Sequence, residues 1–198
     1  MKQPLSNRLE IKPNPHKAKH IDGAKRLIKV IQHAKGVNQD VKRFALNHLI
    51  WLIGDAPYLL KGKNYRPLSK KRRMGDGLAA RYCSFKAKTL LLKHRGKGCE
   101  RDHVFERSQI IESLLSDCPN ILKNIERRAV VCLLEKNEHK HLTSLTRIQK
   151  IDGWERYALM KGKRQIQVWD RQSGKRASLQ KLLRACGVTK QSTREKKL

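Results

Sequence analysis

The 198 residues carry 46 Lys and Arg against 17 Asp and Glu, a formal net charge of +29, and a field of that size gathers polyanions and speeds their encounter. Nucleic acid is the expected partner, DNA first and RNA as an alternative, with a homodimer or a larger complex left open. No run approaches the roughly 18 apolar residues of a spanning helix, and the opening MKQPLSNRLE lacks a secretion signal's apolar segment, so the expectation is a cytoplasmic protein away from membranes.

Residues 1–20 hold Pro4, Pro13 and Pro15 among Lys and His, which predicts an extended arm. Residues 21–34 predict an amphipathic helix ended at Gly36, with Lys25, Arg26 and Lys29 on a basic face. Asn38 suits the N-cap of a second helix running to Gly54, with Val41, Phe44, Ala45, His48, Leu49 and Leu52 on its packed side. The two helices form a hairpin. Next, the cluster Lys70, Lys71, Arg72 and Arg73 predicts a phosphate-binding loop. A third helix starts at Asp76 and runs through GLAARYCSFKAKTLLLKH to Arg95-Gly96-Lys97-Gly98, whose glycines predict a tight turn.

Beyond residue 150, residues 165–169 alternate apolar with polar and predict a strand, joined near Ser173-Gly174 to a second. A short helix and a charged tail follow. Trp154, Tyr157 and Trp169 are expected in the core of this small piece rather than as base-stacking platforms. Five cysteines, Cys83, Cys99, Cys118, Cys132 and Cys186, form no Cys-x-x-Cys pair and read as free thiols. The whole predicts an α+β fold in three parts. Residues 1–76 form a mainly helical, basic, DNA-gripping region, 77–150 a catalytic core with its preceding helix, and 151–198 a small strand–helix appendage.

Residues 100–145 carry the chemistry. Hydrolysing a phosphodiester needs a base for the attacking water and charge relief for the phosphate, which a histidine and a divalent cation supply. In ERDHVFERS, Asp102 and His103 are neighbours on an extended segment and point to opposite faces. His103 can face substrate as general base while Asp102, with local bending, reaches a metal. Residues 130–134 are β-branched and apolar, a second strand, and EKNEHKHLTSLTRIQ forms a helix with Leu142, Leu145 and Ile148 on one face. Asn137 and His141, four apart, share a face, while His139 lies about 200° from Asn137. A helix that begins only near Glu138 places His139 on its first turn instead. Asn137, His139 and His141 therefore all stay open as the metal ligand.

This strand–loop–strand–helix pattern resembles the HNH, or His-Me finger, nucleases, whose ββα-metal unit surrounds one divalent ion. The likeness covers about 45 residues and not the flanks. DHVFERS is similar to that family's first-strand signature, with His103 in the general-base slot, Asp102 in the metal-ligand slot and Ser108 in a commonly polar position. VCLLEKNEHKHL is similar to its second strand and helix, with Asn137 matching the ligand of Asn-type members and His139 or His141 that of His-type members. The chain departs from the pattern at Glu106, where a proline is usual, and at Arg128-Ala129, where a middle asparagine is expected.

The resemblance implies a Mg²⁺-dependent DNA endonuclease, with Mn²⁺ as an alternative ion, that leaves a 5′-phosphate and a 3′-hydroxyl. Arg107, Arg127 and Arg128 are expected to position the nucleic-acid backbone. The large flanks suit a restriction-type or homing-type enzyme. The alternatives are a non-catalytic basic protein that binds RNA or ribosomes, and a nuclease subunit of a larger assembly.

Overall fold

The computed structural model describes residues 10–55, 57–60, 76–116, 118–158 and 165–185. After β1 (Ile11–Pro13) the chain makes α1 (Lys17–His33), α2 (Gln39–Asp55) and β2 (Tyr58–Leu60), which pairs antiparallel with β1. A 3-10 turn (Asp76–Ala79) leads to β3 (Tyr82–Ser84) and α3 (Phe85–His94). Then come β4 (Cys99–His103), α4 (Arg107–Leu115), α5 (Pro119–Arg128), β5 (Val131–Glu135) and α6 (Lys136–Gln149). The described chain finishes with α7 (Glu155–Ala158), β6 (Val168–Asp170), β7 (Lys175–Arg176) and α8 (Leu179–Ala185). The main sheet has the order β4-β5-β3-β6-β7, with β3 and β5 parallel and the other neighbours antiparallel. Helices segregated around a mostly antiparallel sheet make an α+β fold.

The α1–α2 hairpin forms as the sequence implies, and Asn38 accepts from the Asp40 N–H at 2.7 Å. Of the arm expected over residues 1–20, however, the described part is folded in, with residues 11–13 paired to β2 and residues 17–20 already in α1. The packed face of α2 is a different one. Leu46, Ile50 and Ile53 are buried, while Phe44 is 68% exposed and Val41 is also exposed. Residues 44–53 are apolar nearly all round, so two stripes compete, and the close approach at Gly54 decides between them. A Cβ at Gly54 would lie 2.5 Å from the Ala129 carbonyl oxygen and 2.9 Å from Val131 Cγ2. Gly54→Ala is therefore expected to cost about 1–3 kcal/mol through overpacking, read as a shift in the urea midpoint at unchanged slope.

Residues 76–94 are not one helix. Ser84 accepts from the Ala87 N–H at 3.0 Å and caps α3, so the helix starts only at Phe85. Tyr82 and Cys83 before it pair with Cys132 and Leu133 on one side and with Asp170 and Trp169 on the other. The expected turn is present, with Gly96 at φ 77° and Gly98 at φ 87°.

Between β4 and β5 the connection carries α4 and α5, the latter opened by Pro119 in its first turn. The β6–β7 hairpin joins the main sheet through β3. Trp154 and Tyr157 pack into the same core as Ile28, Ile50, Val104 and Leu142. Among the described residues no helix is long and apolar enough to cross a membrane. Cys83, Cys99, Cys118 and Cys132 are free thiols.

Candidate metal-binding site

On β4 and β5 the register sets Asp102 opposite Cys132 and His103 opposite Val131. Strand alternation sends the two side chains to opposite faces. Asp102 turns toward α6 and α7, and His103 toward α2.

The Asp102 side is a buried polar network. Asp102, 4% exposed, accepts at Oδ2 from Arg156 Nη2 and from the Tyr157 hydroxyl, each at 2.6 Å. Its Oδ1 lies 3.6 Å from His139 Nε2, and His139 Nδ1 lies 2.6 Å from Glu100 Oε2. Burial pushes the Asp102 pKa up, against the pull of Arg156, the Tyr157 hydrogen bond and His139. Arg156, itself buried, also donates to the Val104 carbonyl at 3.1 Å, to the Thr146 hydroxyl at 3.3 Å and to the His103 carbonyl.

Helix α6 presents His139 because of how its first turn is pinned. Glu135 is the N-cap, accepting from the Glu138 N–H, and Glu138 accepts in return from the Glu135 N–H. The buried Glu138 carboxylate also accepts from the Ser84 hydroxyl. With Glu138, Leu142 and Leu145 facing inward, His139 stands about 100° round the helix, on the β4 side. Asn137 lies on the opposite flank and is exposed, and His141 is half-buried, with its buried Nε2 lacking a hydrogen-bond partner. Ile148, expected on the packed face, is exposed. Of the three candidate ligands, the structure brings only His139 to Asp102.

His103 has different surroundings. It is 7% exposed, its ring centroid is 3.9 Å from that of Trp51, and neither ring nitrogen has a hydrogen-bond partner. Burial, and then Arg107, Arg101 and Arg156, lower its pKa to about 3. The imidazole is neutral near pH 7 and lies across the sheet from the Asp102 carboxylate. The Arg101 and Arg107 guanidinium carbons sit 4.1 and 4.7 Å from the Trp51 ring centre, and Arg101 pairs with Asp55.

Of the expected phosphate contacts, Arg107 donates to Asn47 Oδ1 at 2.6 Å, and burial followed by Arg101 lowers its pKa. Arg127 and Arg128 are exposed in the last turn of α5, with Arg128 over the Phe105 ring at 4.9 Å. Lys70, Lys71, Arg72 and Arg73 lie outside the described residues.

The residues present fit a two-donor cation site. Tautomers follow from contacts: with Nδ1–H donated to Glu100, Nε2 turns its lone pair to Asp102 Oδ1, and two acceptors face each other. A second ring proton or a cation between them relieves that opposition. A carboxylate behind a histidine is also the usual way to orient a metal-binding imidazole. Among the described residues no group of three His, Cys, Asp or Glu is arranged to hold a metal, so water or phosphate oxygens would complete the shell. His139 also lines an open groove of about 470 Å³ with Lys140, Thr143, Ser144 and Arg147, which gives this side of the sheet a basic surface.

Sequence reasoning missed Glu100, Arg156 and Tyr157 as partners in the site. Glu100 was accessible, since strand period two puts it on the Asp102 face. Arg156 and Tyr157 come from 54 and 55 residues further along; Trp154 and Tyr157 were expected to be buried, but in a separate small core and not against Asp102. Comparison with protein-family models, with curated proteins and with solved structures found no match to this chain.

Proposed function

We propose that the protein is a metal-dependent endonuclease that hydrolyses DNA phosphodiester bonds, with Asp102 and His139 as the protein donors to one divalent cation, Mg²⁺ or Mn²⁺. The observation that carries this reading is the approach of His139 Nε2 to Asp102 Oδ1 at 3.6 Å, with Glu100 behind the imidazole. When bound, such a cation supplies charge relief to the phosphate and acidifies a water. Arg156 and Tyr157 hold the Asp102 carboxylate in one orientation, Glu100 holds the imidazole, and Lys140 and Arg147 draw the phosphodiester into the groove. The general-base role that the family resemblance gives His103 requires its ring to exchange Trp51 for water.

The test is incubation with supercoiled plasmid in Mg²⁺, Mn²⁺ and chelator. Nicking is expected only with metal, falling at least about 100-fold in His139→Ala and about 10–100-fold in Glu100→Gln, the range typical of groups that orient a ligand. Cleavage that persists in chelator or in His139→Ala would overturn the assignment. One observation favours a second reading, a basic nucleic-acid binder without hydrolysis: His103 is buried against Trp51 with neither ring nitrogen hydrogen-bonded. That reading predicts salt-sensitive binding and no product with either metal.

A further inference from the structure

A separate cleft of about 530 Å³ opens where the N-terminal ends of β3 and β5 meet α5 and α8, a volume within the roughly 300–1,000 Å³ of sites for small organic ligands. We propose that this cleft takes up one unpaired nucleotide of a polynucleotide strand, its base against the Tyr58 and Tyr82 wall and its phosphate at Arg127 and Arg184. The proposal rests on the nucleic-acid partner of the preceding reading and not on hydrolysis.

Charge within the cleft is the first support. Lys17, Arg81, Arg127 and Arg184 all line it, together with Glu126. Lys17 and Lys25 pair with Glu126 at 3.8 and 2.8 Å, and Arg81 makes a two-toothed pair with Asp170 at 3.1 and 2.7 Å. The two carboxylates are thus fully engaged, three bases sharing them. Arg127 and Arg184 are exposed and have no ion-pair partner among the described residues, so both guanidinium groups remain available to the cleft, a match for phosphodiester oxygens.

The apolar half supplies the second. Tyr58 and Tyr82 are half-buried and lead to the fully packed Trp154, whose ring stands edge-on to Tyr82 at 5.2 Å. Ile53, Val130, Val131 and Leu182 add aliphatic surface to the lining. A planar base that stacks on a tyrosine while its phosphate meets arginine uses both halves at once. A base held in a duplex presents no free face, so the occupant is an unpaired nucleotide.

The experiment compares two 12-residue phosphodiester probes of equal charge, fluorescein-labelled dT12 and a fully abasic strand, by anisotropy in EDTA across a salt series. The wild-type chain is expected to bind dT12 about tenfold more tightly than the abasic strand. Tyr58→Ala should remove that preference, and Tyr58→Phe, which keeps the ring and loses the hydroxyl bond to Gln172, should retain it. Arg127→Ala/Arg184→Ala should weaken both probes and reduce the salt slope by about two. Lys93→Ala/Arg95→Ala, at an exposed helix end away from the cleft, should leave the tenfold preference intact. Equal binding of dT12 and the abasic strand, or a preference that survives Tyr58→Ala, would overturn the proposal. With metal chelated, these outcomes are independent of cleavage: a chain that binds with base preference but never cuts sinks the nuclease reading alone.

Discussion

Arg156→Met is expected to lower the free energy of unfolding by about 3–5 kcal/mol, the usual cost of removing one partner from a buried ion pair. Arg156 is 5% exposed, and its guanidinium serves the Asp102 carboxylate, the carbonyls of His103 and Val104 and the Thr146 hydroxyl. Methionine fills the space and leaves all four without that donor. The Asp102 pKa is already raised by burial, so its folded form holds a proton more tightly than the unfolded chain does. Loss of the guanidinium raises it further, and the deficit should shrink as pH falls. Urea denaturation at two pH values checks both statements. Adding Asp102→Asn removes the stranded charge, and the double variant should recover at least about 1 kcal/mol relative to Arg156→Met.

His103→Leu is expected to make the protein more resistant to acid. A histidine that ionises near 6.5 in an unfolded chain and at about 3 in the folded one is neutral in the native state throughout that window. Below pH 6.5 the unfolded chain takes up a proton that the native state refuses, so stability is full above 6.5 and is lost as pH falls toward 3. The single site amounts to on the order of 3 kcal/mol at pH 4. Leucine is near in volume, apolar, and meets Trp51 without a proton to accept. The difference between wild type and variant, followed by circular dichroism from pH 7 to 3.5, isolates this residue from the carboxylates. If the two curves run parallel, His103 is hydrated and titrates near its ordinary value.

The parts of the fold legible in the sequence are those whose signals are local. Asn38, the glycines at Gly96 and Gly98 and the apolar periodicity of residues 21–34 each act within a turn or two; the first two land where expected, and the third falls within α1, which starts four residues earlier at Lys17. The strand and helix of residues 130–149 also emerge, because a β-branched apolar run followed by leucines at helical spacing marks both elements. What failed was decided at a distance. β3 reads as part of a helix because Tyr82–Ser84 becomes a strand only when β5 and β6 arrive to flank it. The face of α2 was misjudged because a nearly all-apolar helix offers two stripes, and Gly54 chooses by contact with Ala129 and Val131.

In the candidate site, Asp102 and His103 were readable as a strand pair with opposed directions. Which of Asn137, His139 and His141 meets Asp102 was not, since the answer depends on the rotation of α6. That rotation is set by the Ser84–Glu138 hydrogen bond, between residues 54 apart in sequence. The same distance hid Arg156 and Tyr157.

The order β4-β5-β3-β6-β7 has a consequence for how the chain is made. Both neighbours of the central strand follow it in sequence, β5 by about 50 residues and β6 by about 85, so a ribosome delivers β3 long before either edge is covered. Until Asp170 emerges β3 keeps an open edge, and until Tyr157 emerges Asp102 lacks its buried partners. Such long-range pairing slows closure of the sheet, and at about 5–20 residues per second the nascent chain spends several seconds with β3 only half paired. A truncation just after α6 should trap that intermediate as a strand-exposing, aggregation-prone species.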